Sequence, residues 1–261
     1  MPPEKWDYIQ FKAAFYKKTG LDLERYKDKQ MERRILQLMS KEGKSGFKEF
    51  FEFIISSSEA MDRFMDYLTI NTSEFFRDQD VYNRLQQEIF PSVLQHERGA
   101  IKIWSAGCSI GAEPYTIAIA MDILKSLNRV KIHATDIDEG ALRIAQRGSY
   151  NIKQLGKTKS DVVKKYFTVA GADYSVIPSI KKVVNFSRHN LLTDPPVMGC
   201  HMIFCRNVFI YFKQETQDVL LQKFASGLNP GGYLVIGSAE YIGSPAKFGL
   251  RKAFTTIYQK G

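Results

Sequence analysis

The chain has 261 residues, 44% of them hydrophobic and 25% charged, which is enough for one large domain or two modest ones with real cores. A net charge of +9 predicts attraction to something acidic: a nucleic acid, a membrane surface or an acidic protein. Three cysteines (Cys108, Cys200 and Cys205) without a CxxC pair argue against a disulfide framework or a zinc knuckle, and no run reaches the length of a membrane span.

The first part of the chain reads as helix after helix. Trp6, Ile9, Phe11 and Phe15 precede Gly20, a suitable helix stop, and Met31, Ile35 and Leu38 recur at helical spacing before Gly43. Phe47, Phe50, Phe51 and Ile54 follow, then Met61, Phe64, Met65 and Leu68 after a serine run suited to N-capping. A helix is expected over Asp80–Ile89, interrupted by Pro91.

Beyond it, short apolar strands alternate with helical stretches. The strands are Ile101–Ala106, Lys131–Thr135, His201–Cys205 and Tyr233–Gly237, with Ala253–Tyr258 as a final antiparallel return. The longest uncharged run, Phe224 to Ala239, holds Pro230, Gly231 and Gly232, so it is a turn feeding a strand. Strand–helix alternation implies βαβ units and a mostly parallel sheet, here an α/β domain following a small helical one.

Open α/β sheets bind ligands at the carboxyl ends of their strands. The first strand runs into Gly107-Cys108-Ser109-Ile110-Gly111-Ala112-Glu113-Pro114, where glycine lets the backbone turn sharply and approach a ligand. The glycines are four apart, unlike a GxGxxG dinucleotide loop, and Glu113 stands where the next helix begins. A bare helix N-terminus attracts phosphate, whereas a carboxylate there repels it. S-adenosylmethionine has no phosphate and a cationic amino acid end, which suits Glu113. The plain alternative is a tight βα turn with a first-turn glutamate favoured by the helix dipole.

The second strand ends in Asp136-Ile137-Asp138. Asp136 is placed to accept hydrogen bonds from ribose hydroxyls, and Asp138 to cap a helix. His189-Asn190-Leu191-Leu192 lies before the His201–Cys205 strand and Arg206-Asn207 directly after it. Asn229-Pro230-Gly231-Gly232 leads into the next strand. The ordered set points to the Rossmann-like sheet of class I methyltransferases.

Three segments carry a family resemblance: Asn71-Thr72-Ser73-Glu74-Phe75-Phe76-Arg77, Ser105 through Tyr115, and Phe204-Cys205-Arg206-Asn207-Val208-Phe209-Ile210-Tyr211-Phe212. In order and over nearly the whole chain, they resemble the chemotaxis receptor methyltransferases of the CheR type. The resemblance implies a receptor-docking helical domain over residues 1–78 and an S-adenosylmethionine-binding methyltransferase domain over 79–261, with a small β-subdomain inserted. It implies O-methylation of glutamates on the cytoplasmic helices of methyl-accepting receptors, with S-adenosylhomocysteine as product. Carried over by motif, the cofactor contacts are Asn71, Ser73, Arg77, Glu113, Asp136, Asn190, Leu191, Arg206 and Asn207, with Arg77 and Tyr211 as the catalytic pair.

Elementary chemistry agrees. A glutamate carboxylate, with a reference pKa of about 4.3, is already ionised at neutral pH. Its attack on a sulfonium methyl needs alignment and exclusion of water, not a general base. No metal is expected, and His96, His133, His189 and His201 share no ligand spacing. Arg77 is the natural guide, because a guanidinium grips a carboxylate in a planar fork; Tyr211 is equally readable as a packed aromatic.

Two other readings stand beside this one. A nucleic-acid methyltransferase is favoured only by net charge; Asp194-Pro195-Pro196-Val197 resembles an amino-methyltransferase signature, but Val197 offers no aromatic face and the segment enters its strand instead of leaving it. A non-catalytic adenosyl-ligand sensor is opposed by the intact Arg77 and Asn207 motifs. The basic run Arg25, Lys27, Lys29, Arg33 and Arg34 is either a solvated helix face, blunted by Asp28 and Glu32, or a docking surface for an acidic receptor helix; Lys27, Lys29, Arg33 and Arg34 are taken as the docking set.

Some members of the family hold a receptor's C-terminal peptide on the β-subdomain, expected here at Tyr166–Tyr174. Gly171 without a following proline departs from their Gly-x-Gly-Pro turn, which argues against such a tether. The start, Met1-Pro2-Pro3-Glu4-Lys5, lacks an apolar signal core. A cytoplasmic monomer is expected, binding neither nucleic acid nor membrane.

Overall fold

The structure, a computed structural model, describes residues 6–69 and 73–261. The chain divides into two compact units: Met1–Asn71 with Tyr211–Asp218, and Thr72–Ile210 with Val219–Gly261.

The first unit is helical. Helix α1 (Tyr8–Thr19) opens with a capping box, Asp7 accepting from the Gln10 N–H at 2.8 Å while the Gln10 side chain accepts from the Asp7 N–H at 2.9 Å. It stops at Gly20, whose positive φ of 74° lets its N–H reach the Tyr16 carbonyl. Helices α2 (Asp28–Lys41), α3 (Phe47–Ile55) and α4 (Ser58–Thr69) follow, and Ser57 caps α4 through the Ala60 N–H. Their apolar faces meet in an aromatic core, with Phe15 and Phe50 edge-on to Phe64 at 5.1 and 5.8 Å. The segment Tyr211–Asp218 joins this unit through backbone bonds from Lys27 N–H to the Tyr211 carbonyl and from Lys213 N–H to the Arg25 carbonyl.

The second unit begins with α5 (Gln79–Arg84), a π-helical turn over Leu85–Ile89 and α6 (Phe90–His96). Here the expected interruption at Pro91 does not occur. The widened turn, in which the Phe90 N–H reaches back to the Leu85 carbonyl, directly precedes the proline and absorbs it, so that helical backbone continues through Pro91 to His96.

Alternation then sets in: β1 (Ile101–Ala106), α7 (Ala112–Ile123), β2 (Val130–Asp136), α8 (Glu139–Arg147), β3 (Ser149–Tyr150), α9 (Ser160–Tyr166), β4 (Phe167–Ala170), β5 (Asp173–Val176), α10 (Pro178–Lys181), β6 (Val184–Arg188), β7 (Cys200–Cys205), α11 (Gln214–Gly227), β8 (Leu228–Ile236), β9 (Leu250–Phe254) and β10 (Ile257–Lys260). The main sheet has the order β6-β2-β1-β7-β8-β10-β9. It is parallel through β8, and β10 runs antiparallel to both its neighbours. This is the expected Rossmann-like α/β sheet. Its central strands β1 and β7 are buried along nearly their whole length, as parallel strands usually are.

The small β-subdomain is the three-stranded sheet β3-β5-β4, with Gly171 (φ 60°) turning β4 into β5. The last apolar stretch is two strands instead of one, because the chain reverses after Phe254 and the Thr256 carbonyl accepts from Ile236 N–H.

Candidate active site

The site is built on the glycine turn after β1. Gly107 and Gly111 take positive φ angles of 77° and 86°. A Cβ on Gly107 would lie 2.8 Å from a Val208 methyl, and one on Gly111 2.8 Å from the Ala145 Cβ, so neither position has room for a side chain. Gly107 and Cys108 donate to the Thr135 carbonyl, which folds the turn over the end of β2.

That fold brings Asp136 to the turn. Its Oδ2 accepts from the Ser109 N–H at 2.7 Å and its Oδ1 from the Asp138 N–H at 3.0 Å. Burial pushes its carboxyl up to about 6, while those N–H groups pull the other way. Asp138 caps α8 by accepting from Ala141 N–H. Beside Asp136, the His189 N–H donates to the Asp136 carbonyl, so the segment His189–Leu191 follows the end of β6 next to the end of β2. The Asn190 carboxamide oxygen accepts from Leu192 N–H, and Asp194 accepts from Asn190 N–H.

On the other side of the turn lies a narrow cleft of about 40 Å³, lined by Ser73, Glu74, Arg77, Gly107, Cys108, Glu113, Arg206 and Asn207. Glu113, in the first turn of α7, accepts from the Ser105 hydroxyl at 2.7 Å. Burial raises its carboxyl, opposed by the Arg206 guanidinium 3.4 Å away. The Arg206 side chain is only 3% exposed. It ion-pairs Asp78 at 2.8 Å, donates to the Arg77 carbonyl at 2.8 Å and lies over the Tyr82 ring. Its Nε is buried without a hydrogen-bond partner.

Arg77 sits between two left-handed residues, Phe76 (φ 53°) and Asp78 (φ 60°). For a bulky phenylalanine this backbone is strained, at a cost of order 1–3 kcal/mol. The strain is held by Phe75, buried edge-on to Tyr150 and Phe167, and by the Phe76 N–H donating to the Thr116 hydroxyl at 3.2 Å. Strain of this kind over-determined by its neighbours fixes where Arg77 emerges.

The structure thus gathers Ser73, Arg77, Glu113, Arg206 and Asn207 around one cleft, and sets Asp136 and then Asn190 and Leu191 beyond the glycine turn. Asn71 lies outside the described residues. Tyr211 ends a short 3₁₀ turn and groups with the helical unit. In that unit Lys27, Lys29 and Arg33 are exposed. Arg34 is not a free charge: its guanidinium lies over the Tyr67 ring at 4.8 Å and donates to the Tyr67 carbonyl. Asp28 does not blunt the basic face, because Lys12 and Lys213 both pair with it.

Asp78, Tyr82 and Glu240 were not among the expected site residues. Asp78 had a signal, an acid next to the motif arginine, and Glu240 is the first charge after the long uncharged run. A wider groove of about 1080 Å³ opens elsewhere, among Lys125, Lys131, His133 and Lys182, but it holds none of the motif residues. The carboxylates and guanidinium groups, not width, locate the chemistry. Among the described residues no group of three or more His, Cys, Asp or Glu side chains is placed to hold a metal ion, and no helix is long and apolar enough to cross a membrane.

Comparison with known proteins decides the family. The profile described as "CheR methyltransferase, SAM binding domain" matches residues 71–257, and that of the "CheR methyltransferase, all-alpha domain" matches residues 6–69. The chain belongs to the CheR methyltransferase family. It is similar to a chemotaxis protein methyltransferase of Listeria innocua, 37% identical over 100% of this chain and 99% of the relative. A second, chemotaxis protein methyltransferase 2 of Vibrio cholerae, is 32% identical over 90% of this chain and 85% of the relative. A probable chemotaxis protein methyltransferase of Rhizobium etli is 33% identical over 94% and 96%. This CheR-family enzyme is therefore a methyltransferase whose sheet domain binds S-adenosylmethionine.

Proposed function

We propose that this enzyme transfers the methyl group of S-adenosylmethionine to glutamate side chains on the cytoplasmic helices of methyl-accepting chemotaxis receptors, leaving glutamate methyl esters. The observation that carries the reading is the make-up of the cleft. Its lining offers two carboxylates, Glu74 and Glu113, two arginines and an asparagine, with no histidine among them. That suits an acceptor already ionised at neutral pH, which needs orientation and no base.

The donor set also fits the cofactor. Two carboxylates, Glu113 and Asp136, flank a glycine turn, which favours a cationic, phosphate-free adenosyl ligand over a dinucleotide. When bound, S-adenosylmethionine supplies an electrophilic methyl group. Glu113 would hold its ammonium group, and Asp136, its oxygens already oriented by the Ser109 and Asp138 N–H groups, would accept from ribose hydroxyls. Ser73, Arg77, Arg206 and Asn207 complete one side, and Asn190 and Leu191 the other; the family motif adds Asn71 as a cofactor contact. Arg77 aligns the acceptor carboxylate, and the family motif gives Tyr211 a catalytic role.

The helical domain supplies docking through Lys27, Lys29 and Arg33, with no tether on the β-subdomain and the reaction in the cytoplasm. Incubation with labelled S-adenosylmethionine and a receptor cytoplasmic fragment tests the proposal. Label released by mild base supports it; base-stable label, or label on nucleic acid instead, overturns it.

A further inference from the structure

The loop that leaves β7 carries Arg206 and Asn207, and Asn207 adopts the left-handed conformation (φ 61°). A loop so bent turns successive N–H groups to one side with no strand or helix partner, and buried N–H groups must be satisfied. Here they converge on a single carboxylate. Glu240 Oε2 accepts from Asn207 N–H at 2.9 Å and from Gly237 N–H at 2.6 Å, while Oε1 accepts from Phe209 N–H at 2.8 Å.

Glu240 lies on the loop after β8 and is 8% exposed. Cys205 and Ile236 are the last in-register pair of β7 and β8, so the clamp closes the gap where these neighbouring strands diverge. Gly237 leaves the space that the clamp needs: a Cβ there would lie 2.8 Å from Asn207 N and from Glu240 Oε2. Burial works against the carboxylate, and the backbone N–H groups favour it.

We propose that Glu240 is a positioning residue, a carboxylate clamp that holds the Arg206–Asn207 loop in the geometry the cofactor cleft requires. It acts through Asn207, which lines the cleft, and through Arg206, which holds the Arg77 carbonyl at 2.8 Å. Slack in one loop therefore reaches both the cofactor side and the acceptor guide, and a misplacement of about 1 Å at such a site costs on the order of a hundredfold in rate. The inference rests on the cleft being the cofactor site.

The test compares wild type, Glu240→Gln, Glu240→Asp and Glu240→Ala in the full chain. S-adenosylhomocysteine affinity is read by calorimetry, the Asn207 and Gly237 amides by hydrogen exchange, and kcat and KM with a receptor fragment. In Glu240→Gln, one N–H acceptor becomes a donor facing N–H groups. Cofactor affinity should fall about tenfold or more, with faster exchange at Asn207, lower kcat and unchanged KM for the fragment. Glu240→Asp, which keeps the charge on a shorter stem, should recover part of the loss.

Faster exchange at Asn207 with affinity and kcat within about twofold of wild type overturns the proposal, because the loop would then loosen without consequence. If Glu240→Gln does not fold, Gly237→Ala wedges the same clamp with Glu240 in place. Normal cofactor affinity in that variant overturns the proposal equally. Calorimetry needs no receptor, so failure of wild type to methylate the fragment would count against the proposed acceptor and leave the clamp to be judged on binding.

Discussion

Arg206 is the most heavily committed charge of the site, and replacing it with methionine makes the sharpest prediction. Methionine keeps most of the buried stem, so the perturbation is the loss of the guanidinium. That group bridges Asp78 at 2.8 Å and Glu113 at 3.4 Å, and also holds the Arg77 carbonyl. With 3% of the side chain exposed, solvent does not screen it. Breaking a buried pair by removing one partner costs about 3–5 kcal/mol. For a unit of this size that is a fall in Tm of roughly 6–20 °C, read by scanning calorimetry. The pH dependence follows from Glu113. Burial raises its carboxyl and Arg206 pulls it down, so without Arg206 it stands higher still. A carboxyl raised in the folded state contributes stability at low pH that is lost as pH rises through its folded value. The deficit of Arg206→Met should therefore shrink on acidification. A loss under about 1 kcal/mol, or one that does not change between neutral and mildly acidic pH, would refute the reasoning.

Arg77→Ala should abolish methyl transfer, and Arg77→Lys should recover little because the planar fork is lost; near-normal turnover in Arg77→Ala with intact cofactor binding would remove it as the guide. Asp136→Asn should weaken S-adenosylmethionine binding by about 1.5–3 kcal/mol at neutral pH. With the Asp136 carboxyl pushed up to about 6, wild-type affinity should decline as pH falls through that value, and calorimetry should find the decline absent from the variant. Replacing Lys27, Lys29 and Arg33 with alanine should slow receptor methylation and flatten its salt dependence, whereas deletion of the receptor's C-terminal peptide should change little. Arg34→Ala should instead lower the melting temperature, because its guanidinium is spent on Tyr67.

What was legible in the sequence was local. Apolar periodicity placed helices α1 to α4 and the strands β1, β2, β7 and β8, and Gly20 and the serine run marked a stop and a start that depend only on nearby backbone. The Gly107–Gly111 turn and Asp136 were legible because a strand end, a sharp turn and an acid form a local pattern. Pairings between distant residues were not. Nothing near Pro91 announces that a π-turn will absorb it, and nothing near Phe254 shows that the chain reverses there to offer the Thr256 carbonyl to Ile236. Arg34 reads as a surface charge until Tyr67 lies beneath it. Arg206 reads as a ligand contact, and that it also braces Asp78, Glu113 and the Arg77 carbonyl shows only in the fold. Glu240 carries no motif of its own, since its partners are backbone N–H groups that any sequence provides.

The central claim is that the methyl group goes to a glutamate carboxylate, and site mapping by mass spectrometry tests it most directly. A receptor cytoplasmic fragment is incubated with S-adenosylmethionine and either wild-type enzyme or Arg77→Ala, digested, and its modified peptides are fragmented before and after mild base. The account predicts a single added methyl group on glutamate side chains, lost in base and absent with the variant. A methyl group on nitrogen, or on any residue other than glutamate, or one that survives base, would contradict it.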